Sequence, residues 1–488
     1  MMITILSNGS NVDVGIRVIN DIIKGVPSPG SSLQPLHQIE GEVDGQIGVS
    51  VVFDDGAFYL FSPGVNRWIE LRETDIRTRV QRYDGAEYGP INHGQGRRKL
   101  NVTASLVGSV VVLLRDRLNR PGFFEGTTGF SFPLAFFDTK LGDFVGPLPE
   151  HRNRVGVDHP PGNEIASLMM DTDLDPLDPR WLEKIPPLVS MAERFRSTED
   201  ASASARAYQE IIGLSLAGVA GDFEKALVLA GSKGAGKSVL ARIPEVVFPP
   251  GLVHIGEARR RGAPTYESTH LMGKRLVVFD DCNDLGDVKH FNRLVTAEGI
   301  DVRRLGSQTE QWFPNLGVCL TANRLPSLSG DVGGLSRRLV VLWFVGVPEH
   351  HRIKSAYLAE VAQYRMEMLA WFLAGAMRAI QRGQVTMTPE TQQLVADWET
   401  TADPVTAWAT ECLDPRTDAR LPRSVAYASY RSWAERQTQR ITVESQTGFS
   451  LSLRAVLADM GLGREMKSQG IRSWLGIGLR LLDELPPQ

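Results

Sequence analysis

The chain has 488 residues, 42% hydrophobic and 23% charged, with a formal net charge of −4. That length suits about two to four domains with an ordinary core, and the near-neutral charge excludes a nucleic-acid binder over its whole surface, so any such surface is local. Cys282, Cys319 and Cys412 stand far apart in sequence, which argues against both a disulfide framework and a Cys/His zinc site.

The N-terminus, Met1 to Asn8, lacks a basic start and a long apolar run, and no uninterrupted stretch is long enough to span a bilayer. The expectation is no membrane partner and a cytoplasmic location, in a bacterial cell or a virus-infected host. Residues 1–155 read as a mixed α+β region. Gly48 to Gly56 and Ala57 to Phe61 look like two strands around an Asp-Asp-Gly-Ala turn. Asp54 and Asp55 fit that turn better than a metal site. A helix is expected over Thr74–Gln81, and Val107–Leu114 fits either strand or helix. Arg97-Arg-Lys99 reads as a solvated basic loop, with DNA contact as the alternative.

Residues 156–205 are expected to be a linker and helical collar, from the proline- and aspartate-rich run His159 to Pro179 and the apolar face Leu188, Met191, Phe195. Residues 206–400 form the central unit. Candidate strands are Ala226–Ala230, Leu252–Ile255, Arg275–Phe279, Leu316–Thr321 and Arg338–Phe344, separated by helical or loop segments. This is the α/β pattern of a parallel sheet covered on both faces, and ligands in such sheets sit at the carboxyl ends of the strands. Arg352–Arg382 reads as one long helix whose Met366, Met368 and Met377 pack in a core. Residues 401–488 follow. From Arg416 to Arg480 there are eleven Lys/Arg and five Asp/Glu. Helices at Val425–Thr438 and Leu451–Gly461, then a strand pair, suggest a small basic winged-helix-like module.

Four motifs carry chemistry. The first is Gly231-Ser232-Lys233-Gly234-Ala235-Gly236-Lys237-Ser238, the G-x-x-x-x-G-K-S phosphate-loop spacing between an apolar strand and a helix. Its glycines would let backbone N–H groups wrap a phosphate, Lys237 could reach the β- and γ-phosphates, and Ser238 could ligate Mg²⁺. The second is the strand ending in Asp280-Asp281. Asp280 would hold the Mg²⁺ shell, and Asp281 would orient or deprotonate an attacking water. The third is Leu320-Thr-Ala-Asn323, whose amide can bond the water or the γ-phosphate. The fourth is Ser336-Arg337-Arg338, a guanidinium source for a transferring phosphoryl group in the same or a neighbouring subunit. Between the second and third, Arg293 to Arg304 suggests a hairpin whose Arg303 and Arg304 could grip nucleic-acid phosphates. Arg259-Arg-Arg261 is a rival basic loop.

In this order the motifs resemble superfamily 3 helicases, specifically the phage, plasmid and poxvirus primase-helicase group. The resemblance rests on the phosphate loop, Gly273-Lys-Arg275, Arg293-Leu-Val-Thr296-Ala-Glu298-Gly-Ile300-Asp-Val-Arg303-Arg304, Phe313-Pro314, Asn323-Arg-Leu-Pro326 and Asp331-Val-Gly333 to Arg337-Arg338. It implies an AAA+-like P-loop ATPase with ATP and Mg²⁺ as cofactors. Lys237, Asp280, Asp281, Asn323, Arg337 and Arg338 would be catalytic, and Arg293, Arg303 and Arg304 would contact DNA. It further implies a homo-oligomeric, hexameric ring acting on single-stranded and forked DNA, beside a separate primase or polymerase. The acid and His motifs of the group's primase domain are not found. The expected function is a replicative DNA helicase of a phage, prophage or plasmid. The alternative is a DNA-dependent ATPase acting as replication initiator, packaging or defence motor without processive unwinding.

Overall fold

The structure is a computed structural model. It describes residues 51–54, 56–62, 65–85, 87–88, 98–99, 101–124, 127–146, 151–258, 265–282, 287–303, 309–323, 336–346, 353–388, 391–392, 404–436, 443–462, 464–468 and 471–480.

The first sheet is an antiparallel meander of β1 (Val51–Asp54), β2 (Ala57–Ser62) and β3 (Arg67–Leu71). Asp54 pairs with Ala57 across a two-residue turn, as expected. The Asp54 carboxylate is buried and accepts the backbone N–H groups of Gly122 (3.0 Å) and Phe124 (3.2 Å), so it is a structural anchor. Asp55 lies outside the described residues. Helices Glu73–Gln81 and Ala104–Leu118 cover the sheet. The ambiguous apolar run is therefore helical, started by the Thr103 hydroxyl accepting Leu106 N–H at 3.1 Å. Two short strands, β4 (Glu87–Tyr88) and β5 (Arg98–Lys99), pair in place of the expected basic loop; Arg97 is outside the described residues.

A second meander, β6 (Phe130–Phe132), β7 (Ala135–Asp138) and β8 (Asp143–Val145), buries Phe130, Phe132 and Phe137 in the same cluster as the main sheet. The proline- and aspartate-rich stretch expected as a linker instead carries the helix Asn163–Met170 and a run of turns, and the expected helical part follows as Pro179–Lys184 and Pro187–Phe195. Pro179 opens a helix, where a missing N–H costs nothing, and Asp178 caps it by accepting Arg180 N–H at 2.9 Å. Trp181, Leu188, Met191 and Phe195 are all buried.

The helix Ala201–Ala217 leads to the main sheet. This consists of β9 (Ala226–Gly231), β10 (Val253–Gly256), β11 (Leu276–Phe279), β14 (Gly317–Thr321) and β15 (Leu339–Phe344), with β12 (Ile300–Arg303) and β13 (Thr309–Trp312) forming a separate hairpin. All five main strands are parallel, in the order β10-β11-β14-β9-β15. Alternate residues go to opposite faces: Leu227, Leu229, Leu276, Val278, Cys319, Val340 and Leu342 face one cluster. Ala226, Val228, Ala230, Val277, Phe279, Val318, Leu320, Leu339 and Val341 face the other. Burial on both faces is why these strands read as unbroken apolar runs.

The expected long helix divides into Lys354–Gln363 and Arg365–Arg382. At the break Tyr364 N–H bonds Val361 O, three residues back, which tightens and ends the first helix. Met368 and Met377 are buried and Met366 packs against the same core. The last part has helix Pro404–Cys412, β16 (Leu413–Pro422), helices Arg423–Arg436 and Gln446–Asp459, then β17 (Arg464–Ser468) and β18 (Ile471–Leu479). The three strands pair antiparallel in the order β16-β18-β17 over a core of Trp408, Tyr430, Trp433, Phe449, Leu453 and Trp474. Among the described residues no helix is long and apolar enough to cross a membrane.

Candidate nucleotide site

The site begins where β9 ends. Gly231 has φ +123°, and a Cβ there would lie 2.1 Å from Phe344 O on neighbouring β15. Gly236 has φ +89°, and its Cβ would lie 2.5 Å from Arg194 Nε. Gly231 therefore admits only glycine and Gly236 strongly favours it, and together they bend the chain into an open loop. Lys233 and Gly234 are exposed at its crest, and Ser232 is half-buried. Ser232 N–H bonds Phe344 O at 2.9 Å and Ala235 is buried beneath. The helix that follows, Lys237–Leu240, is one turn long.

Lys237 is buried, and its ammonium donates to Gly231 O (2.8 Å), Ser232 O (2.8 Å) and Asn323 Oδ1 (3.2 Å). Three acceptors use all three of its protons. Burial pushes its pKa below the usual lysine value, and the negative charge of Asp281 opposes that.

Strands β9, β14 and β11 are neighbours, so their carboxyl ends bring the first three motifs together. Ser238 Oγ donates to Asp280 Oδ1 at 2.9 Å, and Thr321 Oγ1 donates to the same oxygen at 2.6 Å. The other oxygen, Oδ2, lies 3.6 Å from the Arg242 guanidinium. Burial would raise the Asp280 carboxyl. The hydrogen bonds from Thr321 and Ser238 and the charges of Lys354 and Arg242 outweigh it, and its pKa falls below the usual carboxylate value. Asp281 is exposed at the mouth and accepts the Asn323 amide at 3.4 Å. Asn323 thus touches both the lysine and the second acid.

These residues fit a Mg²⁺–triphosphate. Such an ion takes one or two protein oxygens, with phosphates and water supplying the rest. Ser238 and Asp280 offer one hydroxyl and one carboxylate, already 2.9 Å apart. Among the described residues no group of three or more His, Cys, Asp or Glu gathers as an all-protein metal cage.

Arg337 and Arg338 are placed elsewhere. Leu339 pairs with Ala226 and Phe344 with Gly231, so the two arginines precede β15 at the amino end of the sheet. The phosphate loop is at the other end, roughly 15–20 Å away at the rise of a strand. Unlike the first three motifs, this one therefore does not sit at the carboxyl ends, where ligands of such sheets bind. Arg338 is half-buried and paired to Glu224 (3.3 Å), with Asn292 Oδ1 at 3.5 Å. Arg337 is exposed, and its carbonyl accepts the Lys225 ammonium at 2.5 Å. Burial lowers the pKa of Lys225, Glu224 opposes this, and the charges of Arg337 and Arg338 add to it.

The expected hairpin forms between β12 and β13, with Ile300 and Val302 buried and Asp301 and Arg303 exposed. Its base lies at the amino end too, since Ala297 abuts Gly221 just before β9 and Leu316 leads into β14. Exposed Arg303 shares the hairpin with Asp301 and Glu310, and Arg293 is exposed in the last turn of helix Val288–Val295. Arg304 and Arg259–Arg261 lie outside the described residues.

Sequence reasoning missed Arg242, Thr321, Lys225 and Arg194 as neighbours of these sites. Arg242 was within reach, being four residues and one helical turn after Ser238. Arg194 sits under Gly236, held by Ser190 O (2.6 Å) and 4.9 Å over the Tyr357 ring, and no sequence spacing signals it.

A family of unknown function (DUF5906) matches residues 229–338, from the phosphate-loop strand to the second arginine. No curated protein matches the chain. Solved structures of the C-terminal region of NrS-1 are loosely similar. An A form apo structure (305–718) is 12% identical with a TM-score of 0.45, covering 88% of this chain and 96% of that one. An apo structure of the same region is 13% identical with a TM-score of 0.44, over 88% and 96% of the two chains.

Proposed function

We propose that this chain is an ATP-driven motor on single-stranded DNA, a helicase of a phage, prophage or plasmid replication system built on an AAA+-like P-loop core. The observation that carries the reading is the convergence of Lys237, Ser238, Asp280, Asp281 and Asn323 at the ends of three adjacent parallel strands. Lys237 would exchange its loop carbonyls for phosphate oxygens. Asp281, exposed and steadied by Asn323, would orient the attacking water. Mg²⁺, held by Ser238 and Asp280, would neutralise charge on the phosphates.

Arg337 lies at the opposite end of the sheet from its own loop, so it would serve the site of a neighbouring subunit in a ring, a hexamer by the resemblance to superfamily 3. Exposure favours Arg337 over the paired Arg338 as the trans group. The hairpin carrying Arg303 would contact DNA, and the small module of helices and strands from Pro404 to Leu479 would act as a winged helix.

The second reading, a DNA-dependent ATPase acting as initiator, packaging or defence motor, is favoured by the mixed charge of the hairpin, where Asp301 and Glu310 accompany Arg303. ATP turnover and displacement of a strand from forked DNA, each with and without single-stranded DNA, separate the readings. Helicase activity requires DNA-stimulated turnover with ATP-dependent displacement. Stimulated turnover without displacement supports the second reading, and no turnover under any condition overturns both.

A further inference from the structure

We infer that Thr321 is the positioning residue that locks the acid pair Asp280–Asp281 to the phosphate-loop strand and so sets the Mg²⁺ dependence of the site. The inference rests on the proposal that this site binds a Mg²⁺–nucleotide.

The ladder between β11 and β14 ends at Phe279 and Leu320. Beyond it Asp280 N–H still bonds Gly256 O on β10, and Asp281 takes φ +52°, a left-handed conformation that aspartate tolerates better than most residues. Thr321 holds it there. Its hydroxyl accepts Asp281 N–H at 2.9 Å and donates to Asp280 Oδ1 at 2.6 Å, while its carbonyl accepts Cys282 N–H at 2.7 Å. Thr321 is also register partner of Leu229 on β9, two residues before the loop. One side chain, 2% exposed, therefore ties both acids to the strand that carries the phosphate loop. Its single proton and its acceptor are both committed, so the hydroxyl has one orientation and shielding from water keeps it there.

A hydroxyl plays both parts well, and a thiol only weakly. Valine matches threonine in shape and can do neither. Removing such outer-shell partners of a metal site typically costs about 10- to 100-fold in metal affinity or activity.

The test is titration of a fluorescent ATP analogue with the full chain in EDTA and over a range of Mg²⁺, paired with turnover. For Thr321→Val, affinity in EDTA should match wild type, because Lys237 and the loop do not bond Thr321. The Mg²⁺ needed for half-maximal effect should rise, and kcat should fall, by about 10- to 100-fold. Thr321→Ser keeps the hydroxyl and should restore both. Wild-type Mg²⁺ dependence in Thr321→Val overturns the inference, as does an equal loss of affinity in EDTA, which would mark a merely structural role. If Thr321→Val does not fold, Thr321→Cys, a weak donor of similar size, takes its place: a raised Mg²⁺ requirement supports the inference and an unchanged one overturns it. Wild-type protein that binds the analogue with Mg²⁺ yet shows no turnover removes the hydrolysis reading and leaves Thr321 to be judged on binding alone. Wild-type protein that binds no analogue removes both.

Discussion

Pro244 decides the shape of the helix under the phosphate loop. It has no N–H to bond the carbonyl of Leu240, four residues back, so the helix Lys237–Leu240 stops after one turn and a second begins at Ile243. The orphaned Leu240 carbonyl is taken by the Tyr208 hydroxyl at 2.8 Å, from the buried face of helix Ala201–Ala217. Burial raises the Tyr208 hydroxyl well above its ordinary pKa, so it stays a donor. Tyr208→Phe leaves that carbonyl buried and unpaired and should lower unfolding stability by about 1–3 kcal/mol. Chemical denaturation checks this, and an unchanged midpoint would mean that the bond contributes nothing. The strand, the glycine turn and the short helix after it were readable because the glycines stand at fixed spacing behind an apolar run. Tyr208, Arg194 and Thr321 were not, because their roles depend on which strand or helix lies beside them.

At the scale of elements, the helix Ala201–Ala217 packs along Arg365–Arg382 around a buried ion pair. Glu210, fully buried, accepts Arg378 Nε at 2.7 Å and Thr386 N–H at 2.6 Å, and Arg382 lies 3.4 Å away. Arg378→Met leaves Glu210 only the more distant Arg382 and Thr386 and should cost up to about 3–5 kcal/mol; a double variant with Glu210→Leu should recover part of it. Thermal or denaturant unfolding of the two variants reads this directly, and equal losses in both would contradict it. All five strands of the main sheet were legible, since burial on both faces leaves an apolar run that polar motifs punctuate. The β12–β13 hairpin was legible from alternation at Ile300 and Val302. The stretch from His159 to Pro179 was misread because the apolar residues that anchor it in the core, Ile165, Met169 and Leu174, are few among its prolines and acids. The break at Tyr364 left no trace in an apolar pattern that runs straight through it.

Across the whole molecule, the separation of Arg337 from the phosphate loop follows from topology. In a parallel sheet the start of one strand lies beside the start of its neighbour, so a motif that precedes β15 cannot reach a loop that follows β9. The expected strand Arg338–Phe344 of a parallel sheet already implied this, although the motif was read only for its chemistry. If Arg337 acts on a neighbour, Arg337→Ala and Lys237→Ala proteins should each lose turnover, while an equimolar mixture should regain part of it, each supplying what the other lacks. A mixture as inactive as its components, or full activity of Arg337→Ala alone, would place the arginine outside the chemistry. The central claim, that the loop around Lys237 hydrolyses ATP, is tested most directly by phosphate release at saturating Mg²⁺ from wild-type and Lys237→Ala protein. The expected result is turnover by the wild type and none by the variant; equal turnover by both would contradict it.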